Sequence, residues 1–301
     1  MQAAANERNS TEYILCSSIH NDPYHVEIIS KKLTSRIEAL LPAIVEEIRL
    51  AFCENSSIGD GWTPVHDCGK LLSRCISAAT NRILVGLPLC RDKEYLDCLV
   101  QLSNRVSRAS FICGLTPCVL KPLIAELLVR QGHAFRTFLS KVGPLIEQRR
   151  STMAACKDEW DEKPVRVLLQ YSKHMALDNI MILKRYQDDA IQWIVEAALP
   201  SAPVHELCFR ILYVNFSAIH TTSVSIAHAL YDLAAHGEFQ DPIRDEIKCI
   251  LESSGGWTRH ALAKMRKLDS SLKESQRLHP VTTGRTPRIS LSTWSEIERL
   301  T

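Results

Sequence analysis

No two stretches of this 301-residue chain read as paired strands. Apolar residues recur at intervals of three and four rather than two, which argues against a sheet-based fold. Glycine and proline are sparse, at 11 and 13 residues, so few breakers interrupt the helical pattern. No uninterrupted apolar run reaches the length of a membrane span, about 18 residues. The first thirty residues hold no apolar core of signal-peptide length, so the chain as written reads as soluble and cytoplasmic. The formal charge of +2, from 36 basic and 34 acidic residues, is too small to argue for nucleic acid or a charged surface as partner. His-Glu-x-x-His, a phosphate loop and Gly-x-Ser-x-Gly are all missing, which removes the enzyme classes they mark. No period of 34 to 45 residues appears, so a repeat scaffold is not expected.

What is present is ordinary globular composition, 46% hydrophobic and 23% charged. Eleven cysteines have no regular spacing and no Cys-x-x-Cys, and Cys113 and Cys118 are too isolated to form a metal knuckle. Cys75, Cys98, Cys208 and Cys249 sit among apolar neighbours and read as free core thiols in a reducing compartment. From Arg259 to Arg288 eight Lys/Arg face only Asp269 and Glu274. That stretch is either a solvated helix face or a docking patch for an acidic electron-transfer partner.

The periodicity predicts a mainly α chain. Val26, Ile29, Leu33, Ile37, Leu40, Ile44 and Ile48 trace one face of a helix between Pro23 and Phe52, with Pro42 a kink. After a turn-rich link from Asn55 to Pro64, helices are expected at 66–84, 92–112, 119–138, 140–158 and 187–199. Pro200-Ser201-Ala202-Pro203 should stop one helix and start another, with Ser201 as N-cap and Pro203 in the first turn. Val204 to about His236 then runs without proline or glycine and is apolar on most faces, the pattern of a helix buried through a domain. Further helices are expected at 242–251 and 258–278, the last closed by Pro280.

Two short signals carry the chemistry. Ser217-Ala218-Ile219-His220-Thr221-Thr222 puts small side chains and two hydroxyls inside the long apolar helix. Small residues admit a flat ligand, and a mid-helix threonine bonds back to the i−4 carbonyl and loosens the helix; the plain alternative is threonines tolerated in a buried helix. Glu274-Ser275-Gln276-Arg277 pairs an acid and a base at i,i+3, with Leu268, Leu272 and Leu278 pointing to partial burial.

In order and surroundings these signals resemble the cytochrome P-450 family of haem-thiolate monooxygenases. The text Tyr231-Asp232-Leu233-Ala234-Ala235-His236 and Leu268 to Pro280 looks familial too. Asn81-Arg82-Ile83-Leu84-Val85-Gly86-Leu87-Pro88-Leu89-Cys90-Arg91 resembles a segment of the fungal secondary-metabolite branch. The resemblance spans roughly Asn21 to Pro280. It implies a monooxygenase that hydroxylates a lipophilic small molecule with O2, haem iron and electrons from an NADPH-dependent reductase, as a monomer at the endoplasmic reticulum membrane. By resemblance, Thr221 or Thr222 would bond iron-bound dioxygen, and His220, where the family usually has Asp or Glu, would relay protons. Ser217 and Ala218 would let the porphyrin lie close, His25 would correspond to a residue meeting a haem propionate, and Glu274 and Arg277 would be structural.

Three departures qualify the expectation. The chain as written begins after the family's membrane anchor and first sheet, and Ile29 stands where an arginine would follow His25. Residues 165–186 read as an insertion after Lys163-Pro164, such as a retained intron would leave. From Val281 to Thr301 the text leaves the family pattern, and Phe-x-x-Gly-x-x-x-Cys-x-Gly, which carries the iron's axial cysteine, does not occur. The expected architecture is thus a helical core fragment over 1–280 without the N-terminal sheet or the haem-ligand loop, followed by a tail at 281–301. The axial ligand sets the electronics of O–O cleavage. The alternative function is therefore a non-catalytic helical fragment without haem.

Overall fold

The structure, a computed structural model, describes residues 21–56, 67–155 and 188–280, with Ile19 and Val65. The expected insertion at 165–186 and the tail at 281–301 lie outside the described residues, as does most of the Asn55–Pro64 link.

Every regular element among the described residues is helical: α1 (Tyr24–Asn55), α2 (Cys68–Leu84), α3 (Lys93–Gly114), α4 (Lys121–Ala125), α5 (His133–Ala155), α6 (Ala190–Ala197), α7 (Val204–Ala235), α8 (Gln240–Ser254), α9 (Arg259–Lys264) and α10 (Arg266–Leu278). The mainly α reading holds, and α1 runs through Pro42 as one element. Aspartates set three of the starts. Asp67, Asp92 and Asp189 each accept a hydrogen bond from the backbone N–H three residues on, satisfying donors the first turn leaves open.

Four expectations need correction. The helix expected over 119–138 is broken into α4, a single π turn at Glu126–Arg130 and the start of α5. The break falls at Gln131-Gly132, where the Arg105 guanidinium fills the space a Cβ on Gly132 would need. The helix expected from 140 begins instead at His133 and carries Gly143 and Pro144 inside it. The stretch 258–278 is two helices meeting at Met265, because the Glu246 carboxylate of α8 accepts from Lys267 and Leu268 N–H at 3.0 and 3.1 Å and caps α10 from outside. Ser201 is not a cap: α7 starts after Pro203 with no side-chain cap bond.

The helix α7 is the axis of the fold, packing against α2, α3, α5 and α10. Around it Tyr95, Leu102, Phe138, Trp193, Leu207 and Ile211 are fully or almost fully buried. Each such side chain contributes about 1.5–3 kcal/mol through burial. Cys75, Cys98 and Cys208 are buried free thiols as expected, whereas Cys249 is exposed on α8. No helix among the described residues is long and apolar enough to cross a membrane.

Candidate functional site

Along α7 the residues Cys208, Ile211, Leu212, Asn215, Ile219 and Ser223 are buried at intervals of three and four, so one face of the helix is committed to the core. Between these positions Ser217 and Ala218 are half-buried, and Thr221 and Thr222 are exposed. The four form a stripe of small and hydroxyl-bearing residues on a helix that is otherwise mostly apolar. Thr221 Oγ1 donates to the Ser217 carbonyl at 2.5 Å, and Ser223 Oγ donates to the Ile219 carbonyl. Two side-chain bonds to i−4 carbonyls so close together loosen this turn.

His220 is not brought into the stripe. Its ring stacks on Phe216, with centroids 5.9 Å apart and planes 9° apart. It lines a cavity of about 580 Å³ with Lys70, Gln101, Asn104 and Ser223, between α7, α2 and α3. Burial lowers its pKa from the ordinary imidazole value.

His25, at the start of α1, is 1% exposed. Its Nδ1 lies 3.1 Å from an Arg210 N–H, its ring meets Tyr213 edge-on, and its Nε2 has no partner among the described residues. Arg210, equally buried, also donates to the Asp22 carbonyl at 2.5 Å and to Glu206 at 2.7 Å, and lies 4.0 Å over the Tyr24 ring. Burial and the neighbouring guanidinium hold the His25 pKa down at about 4. The ring is thus buried between α1 and α7, with Arg210 on its Nδ1 side. Sequence reading passed over Arg210, because one arginine in an apolar helix shows its partners only once α1 has folded across it.

On α10 the Glu274 carboxylate, 2% exposed, accepts from Arg277 Nε and Nη2 at 2.8 and 2.6 Å. Next to it, His279 Nε2 lies 3.2 Å from Asp232 of α7 and its ring stacks on His228.

A family model for cytochrome P450 matches residues 24–295. The chain belongs to the cytochrome P450 family. It is 32% identical over 282 residues to cytochrome P450 monooxygenase 103 of Postia placenta, covering 93% of this chain and 51% of that protein. Cytochrome P450 monooxygenase 71 of the same organism is 33% identical over 285 residues, with 93% and 52% covered. Ent-kaurene oxidase of Gibberella intermedia is 29% identical over 257 residues, with 84% and 43% covered. The chain spans about half the length of the curated relatives it matches.

Haem is the cofactor of cytochrome P450s, and the donor set decides how far these residues fit it. Burial pushes the thiols of Cys90, Cys98 and Cys208 up to about 11, 12 and 12. It raises Cys75 and Cys113 as well, so none of the five favours a thiolate. The exposed Cys53 and Cys249 and the half-buried Cys68 lie on α1, α8 and α2, none of them on α7 with the Ser217–Thr222 stripe. No three His, Cys, Asp or Glu among the described residues are grouped to hold a metal ion. The stripe on α7 offers a face for a flat group, but the described residues supply no axial thiolate. No chemical step is therefore derived through iron.

Proposed function

We propose that this chain forms the oxygen-facing helical half of a cytochrome P450 monooxygenase that hydroxylates a lipophilic small molecule, fed with electrons by an NADPH-dependent reductase. The observation that carries the reading is the run of small or hydroxyl-bearing residues Ser217, Ala218, Thr221 and Thr222, half-buried to exposed, in the middle of the helix that forms the axis of the fold. In this reading Thr221 is the hydroxyl that bonds and orients an oxygen ligand, and Ser217 and Ala218 leave room for the cofactor plane. His220 lines the cavity between α7, α2 and α3, whose lining includes none of those four residues, and is given no part in proton transfer. Glu274 and Arg277 hold α10, with the acid buried and the base at the surface.

A second reading, a helical fragment that does not take up haem, is favoured by the donor set. The Phe-x-x-Gly-x-x-x-Cys-x-Gly pattern does not occur in the 301 residues. One experiment separates the two. The chain is expressed, titrated with haem, reduced and exposed to carbon monoxide. Haem uptake without a thiolate-type Soret band is the outcome expected for the oxygen-facing half alone. No uptake at all favours the second reading, and a thiolate-type band overturns the account of the ligand.

The endoplasmic reticulum membrane that the resemblance implies is supported by the surface from the end of α3 to the start of α5. There Phe111, Leu115 and Val119 are 71%, 77% and 88% exposed. Besides the buried Lys121, residues 105–136 carry Arg105, Arg108, Arg130 and Arg136 against Glu126 as the one acid. An apolar crown with basic neighbours suits the surface of an anionic bilayer.

A further inference from the structure

The helix α7 has an ambiguity that its apolar residues do not resolve. Leu207, Ile211, Leu212 and Ile219 are buried, and Val214, Phe216 and Phe209 pack partly on other sides. A rod apolar on several faces packs acceptably in more than one rotation. Arg210 fastens the first turns of α7 to α1, and beside the Ser217–Thr222 stretch one further buried polar contact breaks the tie. Asn81 of α2 donates through Nδ2 to Asn215 Oδ1 of α7 at 2.8 Å. The phenol of Tyr95 on α3 donates to Asn81 Oδ1 at 3.0 Å. The same Asn81 amide reaches the Ser77 carbonyl at 2.9 Å, and Asn215 Nδ2 donates to the Ile211 carbonyl at 3.2 Å. Asn81 and Tyr95 are 0% exposed and Asn215 is 1% exposed, so three helices meet at a knot closed to water.

Such a knot is a poor way to gain stability. Buried amides give back much of their bond energy as desolvation, and apolar replacements of similar shape often do as well. What a buried polar pair does supply is register, because a rotation or slide of α7 takes the Asn215 amide oxygen away from its donor, Asn81, and strands it in the core. The position along α7 matters too. Asn215 precedes Ser217 by two residues and Thr221 by six, which at 3.6 residues per turn sets it on the side of the helix away from those two, whereas Ala218 and Thr222 flank its own face.

We infer that Asn81 and Asn215 are positioning residues that fix the rotation of α7, turning Ser217 and Thr221 outward and Ile219 inward. The inference deepens the proposed function in saying what the outward face is for. Its test reads rotation and uses no haem, so the two can fail separately.

Cysteines are introduced one at a time in the full chain, as Thr221→Cys and Ile219→Cys, and maleimide labelling is quantified peptide by peptide because Cys53 and Cys249 are also exposed. With the native knot, position 221 labels at least about tenfold faster than 219, which must wait for local opening. In the Asn81→Leu/Asn215→Leu background, with cooperative unfolding retained, that ratio falls by roughly fivefold or more, the worth of about one buried hydrogen bond. A ratio unchanged in that folded background overturns the inference. Should the double variant not fold, Asn81→Ala decides. It removes the donor to Asn215 Oδ1 while α7 keeps its own sequence, and a ratio lowered severalfold supports the inference while an unchanged ratio overturns it.

Discussion

The Nδ1 atom of His25 faces the buried guanidinium of Arg210 at 3.1 Å, a base held against a cation. Arginine only donates, so Nδ1 accepts and the imidazole proton sits on Nε2. A second proton would have to enter beside a positive charge and out of water. This is why the pKa falls from 6.5 to about 4, with burial the larger cause and Arg210 the next.

The consequence is acid sensitivity of a definite sign. The unfolded chain takes up a proton at His25 as pH falls through about 6.5, and the folded chain does so only near 4, so stability present above 6.5 drains away between the two values. The Asp189 carboxyl, which burial pushes up to about 6 despite Arg149, acts in the opposite direction. The comparison is therefore made against His25→Asn, which keeps an acceptor for Arg210 and leaves Asp189 unchanged. Urea unfolding from about pH 7 to about pH 4.5 should cost the native chain roughly 2–3 kcal/mol more than the variant. Parallel pH profiles for the two proteins would remove the assignment.

How much of this was legible beforehand follows from where the deciding contacts lie. The long helix α7 was readable because nothing in 204–236 breaks it, and its end before Gly237 matched. The breaks at Gly132 and Met265 were not, since Arg105 of another helix packs against Gly132 and Glu246 of α8 caps the helix after Met265. The Ser217–Thr222 text was found by its composition. Its orientation was not, because a window apolar on several sides does not say which way it turns, and Asn81 stands 134 residues from Asn215 in the chain. The pairing of His25 with Arg210 spans 185 residues and left no local signal.

Thr221 and Thr222 are exposed among the described residues, so their removal should leave the fold untouched. Thr221→Ala and Thr222→Ala are expected to stay within about 0.5 kcal/mol of the native chain in urea unfolding, whereas Ile219→Ala should cost about 2–5 kcal/mol. A large loss at Thr221 would mean that the stripe is part of the core, and the functional reading of its face would lose its basis.

Glu47 on α1 sits 2% exposed and accepts from Arg91 Nε and Nη2 at 3.0 and 2.7 Å, with Arg82 Nε 3.6 Å away. This contact explains why the Cys90-Arg91 end of the familial segment matters to the fold. Arg91 is half exposed, so water screens part of the pair. Arg91→Ala should destabilise by about 1–3 kcal/mol, because the carboxylate loses its two-pronged partner while staying buried. Adding Glu47→Leu to that variant should recover part of the loss, since the stranded charge is removed with it. Simple additivity in this cycle would show that the pair is not coupled.

The apolar crown at the end of α3 offers the last test. Arg108, Phe111, Ile112 and Leu115 follow one another at three and four residues, so the arginine and the apolar side chains share one face of the helix. Arg105, whose guanidinium lies 3.5 Å from the Leu128 carbonyl, brings a second charge to the edge of the next turns. Side chains this exposed gain on entering a bilayer interface, and the arginines add attraction to anionic headgroups that salt weakens. The full chain should therefore float with phosphatidylserine-containing vesicles and far less with pure phosphatidylcholine. Leu115→Ser/Val119→Ser should lower the bound fraction by about tenfold, since two large apolar anchors are lost from the contact. Because both residues are open to solvent, the double variant should unfold at the same urea concentration as the native chain. Equal binding to neutral and anionic vesicles would refute the basic contribution. Binding that survives Leu115→Ser/Val119→Ser would move the contact to another part of the surface.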